Sequence, residues 1–166
     1  MQYIELTQGQ RAIVDDEDYA LVSQYKWSAH KNGKKDVRQS DYYARKTNRP
    51  NRIYMHRLIL NAPTGIEVDH INHNTLDNRH LNLRLCSRSN NNMNAVKVKV
   101  RKCTSKYKGV YWLARKQKWV AVIWKNSKRT YLGYYHNEKD AALAYNKKAS
   151  ELFGKFALLN NVKGDS

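Results

Sequence analysis

The stretch from Glu67 to Asn94, E-V-D-H-I-N-H-N-T-L-D-N-R-H-L-N-L-R-L-C-S-R-S-N-N-N-M-N, constrains this chain more than any other. Glu67 to His70 follows the Pro63-Thr64-Gly65 turn and reads as a short strand. Ile71 to Leu81 is a polar loop rich in Asn. Asn82 to Cys86 alternates polar and apolar like a second strand. Ser87 or Ser89 can cap a short helix carrying Asn90, Asn91 and Asn94. Strand, loop, strand and helix can then gather around one metal ion. Asp69 supplies a hard oxygen suited to Mg²⁺. His70, beside it, points to the other side of a strand. Its imidazole is neutral near pH 7 and can take a proton from an attacking water. A carboxylate and an amide oxygen can hold an ion whose octahedron is completed by phosphate oxygens and water. Such an ion stabilises developing charge and a leaving 3′ oxygen. Read singly, an Asp-His pair is a surface strand and an Asn run a loop; the spacing of the four positions argues for a site.

These residues resemble the HNH (His-Me finger, ββα-metal) endonucleases, especially the phage homing type with D-H…N…N, over roughly Tyr54 to Asn94. Position by position, the resemblance makes Asp69 and Asn91 the metal ligands and His70 the general base. It makes Asn82 the brace of the loop that orients the His. Asn91 stands where many members carry a last His, and the adjacent Asn90 offers the same chemistry. The His56-Arg57 pair recurs upstream of the motif in this branch. Arg57 is expected on the scissile phosphate, since a guanidinium suits bidentate contact. His56 either joins the site or packs under it, and His73 and His80 are expected to face DNA or solvent.

Charge points the same way. The net charge of +17 implies a polyanionic partner, nucleic acid before membrane. No apolar run is long enough to span a bilayer, and the N-terminus lacks a signal-peptide pattern. Cys86 and Cys103 are too few and too isolated for a zinc knuckle, so reduced thiols are expected. From Asn78 to Asn137 there is no Asp or Glu, while fifteen Lys and Arg occur. A solvated basic face explains most charge runs. One this long, interleaved with aromatics, reads as a track along a DNA backbone.

Ahead of the motif, Tyr3 to Leu6 and Arg11 to Val14 flank a Gln8-Gly9 turn as a hairpin. Asp15 to Asp18 suits the start of a short helix through Tyr25. A calcium loop there is disfavoured, because no Gly and no distal Glu complete it. Trp27 is expected against Tyr42-Tyr43-Ala44, Lys31 to Lys35 as a basic loop, and Tyr54 to Leu60 as a helix behind the site. Ala95 to Ser105 reads as an extended basic linker; residues 1 to 104 carry +8 and residues 105 to 166 carry +9.

Beyond the linker, residues 107–112, 118–124 and 129–134 read as strands, with turns at Lys116-Gln117 and Asn126-Ser127. Asn137 caps a helix with Glu138 and Asp140 in its first turn. Its expected apolar stripe is Ala142, Leu143, Tyr145, Ala149, Leu152 and Phe153, and Gly154 ends it. Y-K-G-V, K-W-V-A-V-I, Y-L-G-Y-Y, E-K-D-A-A-L-A-Y and G-K-F-A-L-L-N resemble the plant ethylene-response-factor (Apetala-type) DNA-binding domain. That resemblance implies a sheet face in the major groove, presenting Lys108, Tyr111, Leu113, Val122, Trp124, Arg129 and Tyr131. The family often has Arg where this chain has Tyr111, Leu113 and Trp124, and Glu where it has Val122. Its target sequence therefore does not transfer. Arg115, Lys125 and Lys128 are candidates to replace part of the charge, while Trp112 and Trp119 are expected to cover the helix.

The resulting expectation is an α+β protein. An N-terminal β-rich region leads into a ββα-metal motif (1–94, metal motif 54–94). A linker (95–105), a three-stranded antiparallel sheet on one helix (106–160) and a tail (161–166) follow. The expected activity is site-specific, Mg²⁺-dependent DNA cleavage of the homing type, by nicking, with one ion per site and Mn²⁺ able to substitute. The partner is double-stranded DNA, no membrane is involved, and the chain is a monomer in the cytoplasm of a bacterial host, encoded by a phage. The main alternative is a transcription regulator that binds DNA without cutting it. A non-specific nuclease and an RNA-binding protein are weaker rivals; the second module argues against the former, and no stacking motif for RNA supports the latter.

Overall fold

A computed structural model describes residues 1–31, 42–48, 51–94 and 104–162. The chain divides into two compact units, Met1–Asn91 and Asn92–Ser166. Most of the basic loop expected at Lys31 to Lys35, most of the linker, Cys103 and the end of the tail lie outside the described residues.

In the first unit, β1 (Gln2–Glu5) and β2 (Arg11–Val14) form an antiparallel hairpin. Gln8 and Gly9 turn it in the left-handed region, with φ of 63° and 65°. α1 (Asp16–Ser23) follows, and three carboxylates in its first turn complement its dipole. β3 (Ser28–Lys31), β4 (Tyr42–Asn48) and β5 (Asn51–Tyr54) make a second antiparallel sheet in that order. α2 (Met55–Ile59) leads to the third sheet, β6 (Glu67–His70) paired with β7 (Leu83–Cys86), and then to α3 (Arg88–Asn94). One core joins these pieces: Val14, Val22, Trp27, Ala44, Met55 and Leu83 are buried together. The Trp27 indole donates to the Val22 carbonyl at 2.8 Å, which satisfies its one polar atom. Trp27 packs with Ala44 and Tyr42 as expected, but Tyr43 faces the other way, toward Tyr54, His56 and His70.

The first hairpin serves the site loop. Ile13 N–H donates to the Leu76 carbonyl and Asn78 N–H to the Ile13 carbonyl, both at 2.8 Å. The long polar loop between β6 and β7 is thereby pinned to the edge of β2.

In the second unit, β8 (Val110–Leu113), β9 (Lys118–Lys125) and β10 (Lys128–Tyr135) form one antiparallel sheet, with β9 in the centre. Asn126 and Ser127 both take positive φ, 49° and 62°, the geometry of a two-residue hairpin turn. α4 (Glu138–Phe153) starts at Asn137, whose Oδ1 accepts from Lys139 N–H at 2.7 Å. Val110, Ala121 and Ile123 pack with Ala141, Ala142, Tyr145 and Ala149 of the helix in two adjoining clusters. Leu143 was expected in that stripe. It is instead 53% exposed, and Ala141 occupies the buried position. Small residues let the helix approach closely, and Gly109 completes the fit: a Cβ there would stand 2.1 Å from Tyr145 Cδ2, at a φ of +74°. Asn160 closes the unit. It exchanges hydrogen bonds with the Lys108 backbone at 2.6 and 3.0 Å and with the Asn146 side chain at 2.7 and 2.8 Å.

The α+β class and the three-stranded sheet on one helix are as read from the sequence. Among the described residues no helix is long and apolar enough to cross a membrane.

Candidate active site

The β6–β7 ladder sets Glu67 opposite Cys86, Asp69 opposite Arg84 and His70 opposite Leu83. Alternation along β6 places Glu67 and Asp69 on one face and Val68 and His70 on the other. α3 brings Asn91 over the strand, after Ser87 Oγ accepts from Asn90 N–H at 3.2 Å. Asp69, His70, His73 and Asn91 line one cavity, together with Tyr43, Val68 and Thr75. An adjoining cleft is lined by Tyr54, His56, Arg57, Glu67 and Asn91 among others.

Asn91 is oriented by its neighbour. Its Nδ2 donates to Glu67 Oε2 at 2.7 Å. An ionised carboxylate only accepts, so this contact fixes the amide: nitrogen toward Glu67, oxygen away from it. Asp69 is buried and accepts from Arg84 Nε at 2.8 Å, with Arg84 Nη2 on the same oxygen, Oδ2. The donors a hard cation would use are thus one carboxylate and one amide oxygen, with Glu67 nearby. Their chemistry fits a divalent ion that prefers oxygen. The Arg84 guanidinium reduces the negative charge available to it.

His70 is 5% exposed. Burial, above all, pushes its pKa down to about 4. The neighbouring Asn78 amide, Asp69 and Asp77 pull the other way. The ring packs edge-on against His56, centroids 5.0 Å apart, and against Tyr43 at 6.1 Å. His56 stacks on Tyr54 at 5.5 Å, its Nδ1 is buried without a hydrogen-bond partner among the described residues, and burial drives its pKa to about 3. His56 therefore forms the wall behind His70.

Asn82 is a brace. Its Oδ1 accepts from Asn72 N–H at 2.8 Å, and its Nδ2 donates to the Asp77 carbonyl at 2.7 Å. Asp77 is gripped by Arg79 at 2.8 and 2.7 Å, which holds its carboxyl below the usual range. Asn78, 1% exposed and unremarked in the sequence, sits beside His70 and donates through its Nδ2 to the Leu76 carbonyl at 3.1 Å. Glu67 and Arg84 were likewise missed, because each acts through a partner across a strand pair or helix that only the register reveals.

Two expectations change. Arg57 donates to the carbonyls of Ile66, Ala62 and Pro63 at 2.6, 3.0 and 2.8 Å, so its guanidinium braces the turn before β6 rather than standing ready for phosphate. His73 lines the Asp69–Asn91 cavity. His80 turns toward α1: its Nε2 lies 3.1 Å from Asp18 and 3.7 Å from Glu17, and its N–H donates to Asp15 Oδ2 at 2.8 Å. Glu17, Asp18 and His80 bring ligand atoms within 4.8 Å of one another, a group able to hold a cation. It lies among residues separate from those lining the Asp69 cavity, and its polar contacts stitch α1 to the loop. Cys86 is a free, buried thiol whose pKa burial raises to about 11, an inert core residue.

In the second unit, register places Tyr111, Leu113, Val120, Val122, Trp124, Arg129 and Tyr131 on the sheet face away from α4. Arg129 Nη2 donates to Tyr111 Oη at 2.8 Å. Trp112 and Trp119 pair at 5.2 Å on the helix side. Lys108 is held through its backbone, and Arg115 stands exposed in the Ala114–Lys116 turn. Lys128 is exposed at the hairpin end, opposite Lys125. Lys125 departs from expectation: its Nζ donates to the Leu152 carbonyl at 3.4 Å, toward the last turn of α4.

Residues 54–93 match a family model described as an HNH endonuclease. The chain is 32% identical over 159 residues to an uncharacterised HNH endonuclease of Acanthamoeba polyphaga mimivirus, covering 93% of this chain and 76% of that one. A match of that extent runs into both units. No solved structure matches the chain. With the strand-loop-strand-helix segment, its Asp-His pair and a relative aligned across both units, the chain belongs to the HNH endonuclease family of nucleases.

Proposed function

We propose that this nuclease is a site-specific DNA endonuclease of the homing type that nicks one strand at a time. The observation that carries the reading is the convergence of Asp69, His70 and Asn91 on one cavity. Asp69 and Asn91 would hold a divalent ion, Mg²⁺ by preference, with Mn²⁺ able to replace it. When bound, the ion supplies charge stabilisation to the phosphate and the leaving 3′ oxygen. His70 takes the proton of the attacking water. Its burial keeps it neutral at working pH, and an anionic phosphate entering the cavity raises its basicity. His56 packs edge-on against the ring, and Asn82 holds the loop. Because Arg84 already offsets Asp69, the ion should bind weakly to free protein and more firmly once DNA adds its oxygens.

The open sheet face of the second unit is assigned to double-stranded DNA, resembling the ethylene-response-factor mode, and sets the cutting register. One catalytic cavity per chain favours a monomer that nicks. A mobile or viral genome, acting in the cytoplasm of the host cell, is the setting this reading implies.

Asp69→Ala and Asn91→Ala test the metal role. Both should lose cleavage by about 10²-fold or more at fixed Mg²⁺. Asn91→Ala should also shift the Mg²⁺ dependence to higher concentration. Unchanged Mg²⁺ dependence in both would reject these residues as ligands.

A further inference from the structure

The open face of the second-unit sheet has an unusual chemistry for a DNA-facing surface. Trp124 and Tyr131 are 56% and 50% exposed. A β-bulge between Tyr131 and Gly133 keeps Tyr134 on the same side, so its ring meets Tyr131 edge-on at 5.1 Å. Lys116 Nζ sits 4.3 Å over the Tyr134 ring, which leaves Trp124 and Tyr131 as the uncovered aromatic surface.

The polar complement is small. Arg129 is the one guanidinium on these strands, and part of its fork is engaged by Tyr111, whose ring also lies 5.6 Å from it. No carboxylate occurs between Asn78 and Asn137, so the face lacks the acidic side chain that most directly accepts from the cytosine amino group. The surrounding positive charge accounts for attraction to phosphate but carries no sequence information.

In the major groove, one base-edge feature is apolar: the C5-methyl group of thymine. We propose that the Trp124–Tyr131 surface reads thymine methyl groups and directs the protein to A·T-rich duplexes. The inference rests on the assignment of this face to duplex DNA.

The test uses the full chain in EDTA at one salt concentration, with duplexes of about 20 base pairs. Alternating dA·dT is compared with dA·dU, which lacks only the methyl. Alternating dG·dC is compared with the same duplex carrying 5-methylcytosine, which places a methyl at the same position. Binding should be about five- to tenfold tighter with the methyl in both pairs. Trp124→Ala with Tyr131→Ala, both exposed positions, should remove that difference. Equal affinity for methylated and unmethylated duplexes, with the double variant weakening all of them alike, would overturn methyl readout and leave the DNA face standing. If the double variant binds every duplex as the native chain does, the assignment of the face to DNA fails as well.

Discussion

His56 and His70 are two buried imidazoles packed edge-on, and their burial has a thermodynamic consequence. His56 has a folded pKa of about 3, against about 6.5 for an unfolded chain. Above pH 6.5 or so neither state binds the proton, so the native contacts count in full. Below it the unfolded chain takes up the proton first, and stability falls as pH drops toward 3. At pH 5 the loss from His56 alone is about 2 kcal/mol. His56→Phe keeps an aromatic wall without a titrating group. Denaturant unfolding at pH 7 and pH 5 should show the native chain losing more stability than the variant. Equal losses would mean that His56 is solvated in the folded state. At this scale the sequence exposed Asp69 and His70, because their chemistry is carried by identity. It hid Glu67 and Arg84, because a carboxylate and a guanidinium in a polar segment look the same whether they orient a ligand or face water.

At the scale of elements, the order of strand, loop, strand and helix was legible, since turns, alternation and a serine cap are local signals. What fixes the loop was not. The parallel bridge between Ile13 and Asp77 and the two hydrogen bonds at Ile13 join segments more than sixty residues apart. The bulge in β10 was also hidden, and it decides which tyrosines share a face. The helix stripe misplaced Leu143 because one residue of phase turns a side chain from core to solvent. Close packing of α4 on the sheet depends on Gly109, where both the positive φ and the contact with Tyr145 exclude a side chain. Gly109→Ala should destabilise the second unit by roughly 3 kcal/mol or more. Calorimetry of the full chain should show the transition of that unit shifted down or lost, and an unaltered melting profile would contradict this packing.

For the whole molecule, both units are net basic, +4 over residues 1–91 and +13 over residues 92–166. If six or more phosphates are neutralised, duplex affinity should fall by roughly 10³-fold or more between about 50 and 200 mM salt. A flat profile would mean that the positive charge is not spent on the backbone. The separate pattern of strands and helix in each half of the chain was visible in the sequence. The choice between cutting and merely binding was not, since an HNH-like segment with a lost base would keep the same pattern. Supercoiled plasmid carrying candidate target DNA, incubated with Mg²⁺ or EDTA and with native or His70→Ala protein, makes that distinction directly. Open circles that require both Mg²⁺ and His70, with DNA affinity retained in the variant, are the predicted result. Equal conversion by the variant, or none by native protein on DNA it demonstrably binds, would contradict the assignment of His70 as the general base of an active nickase.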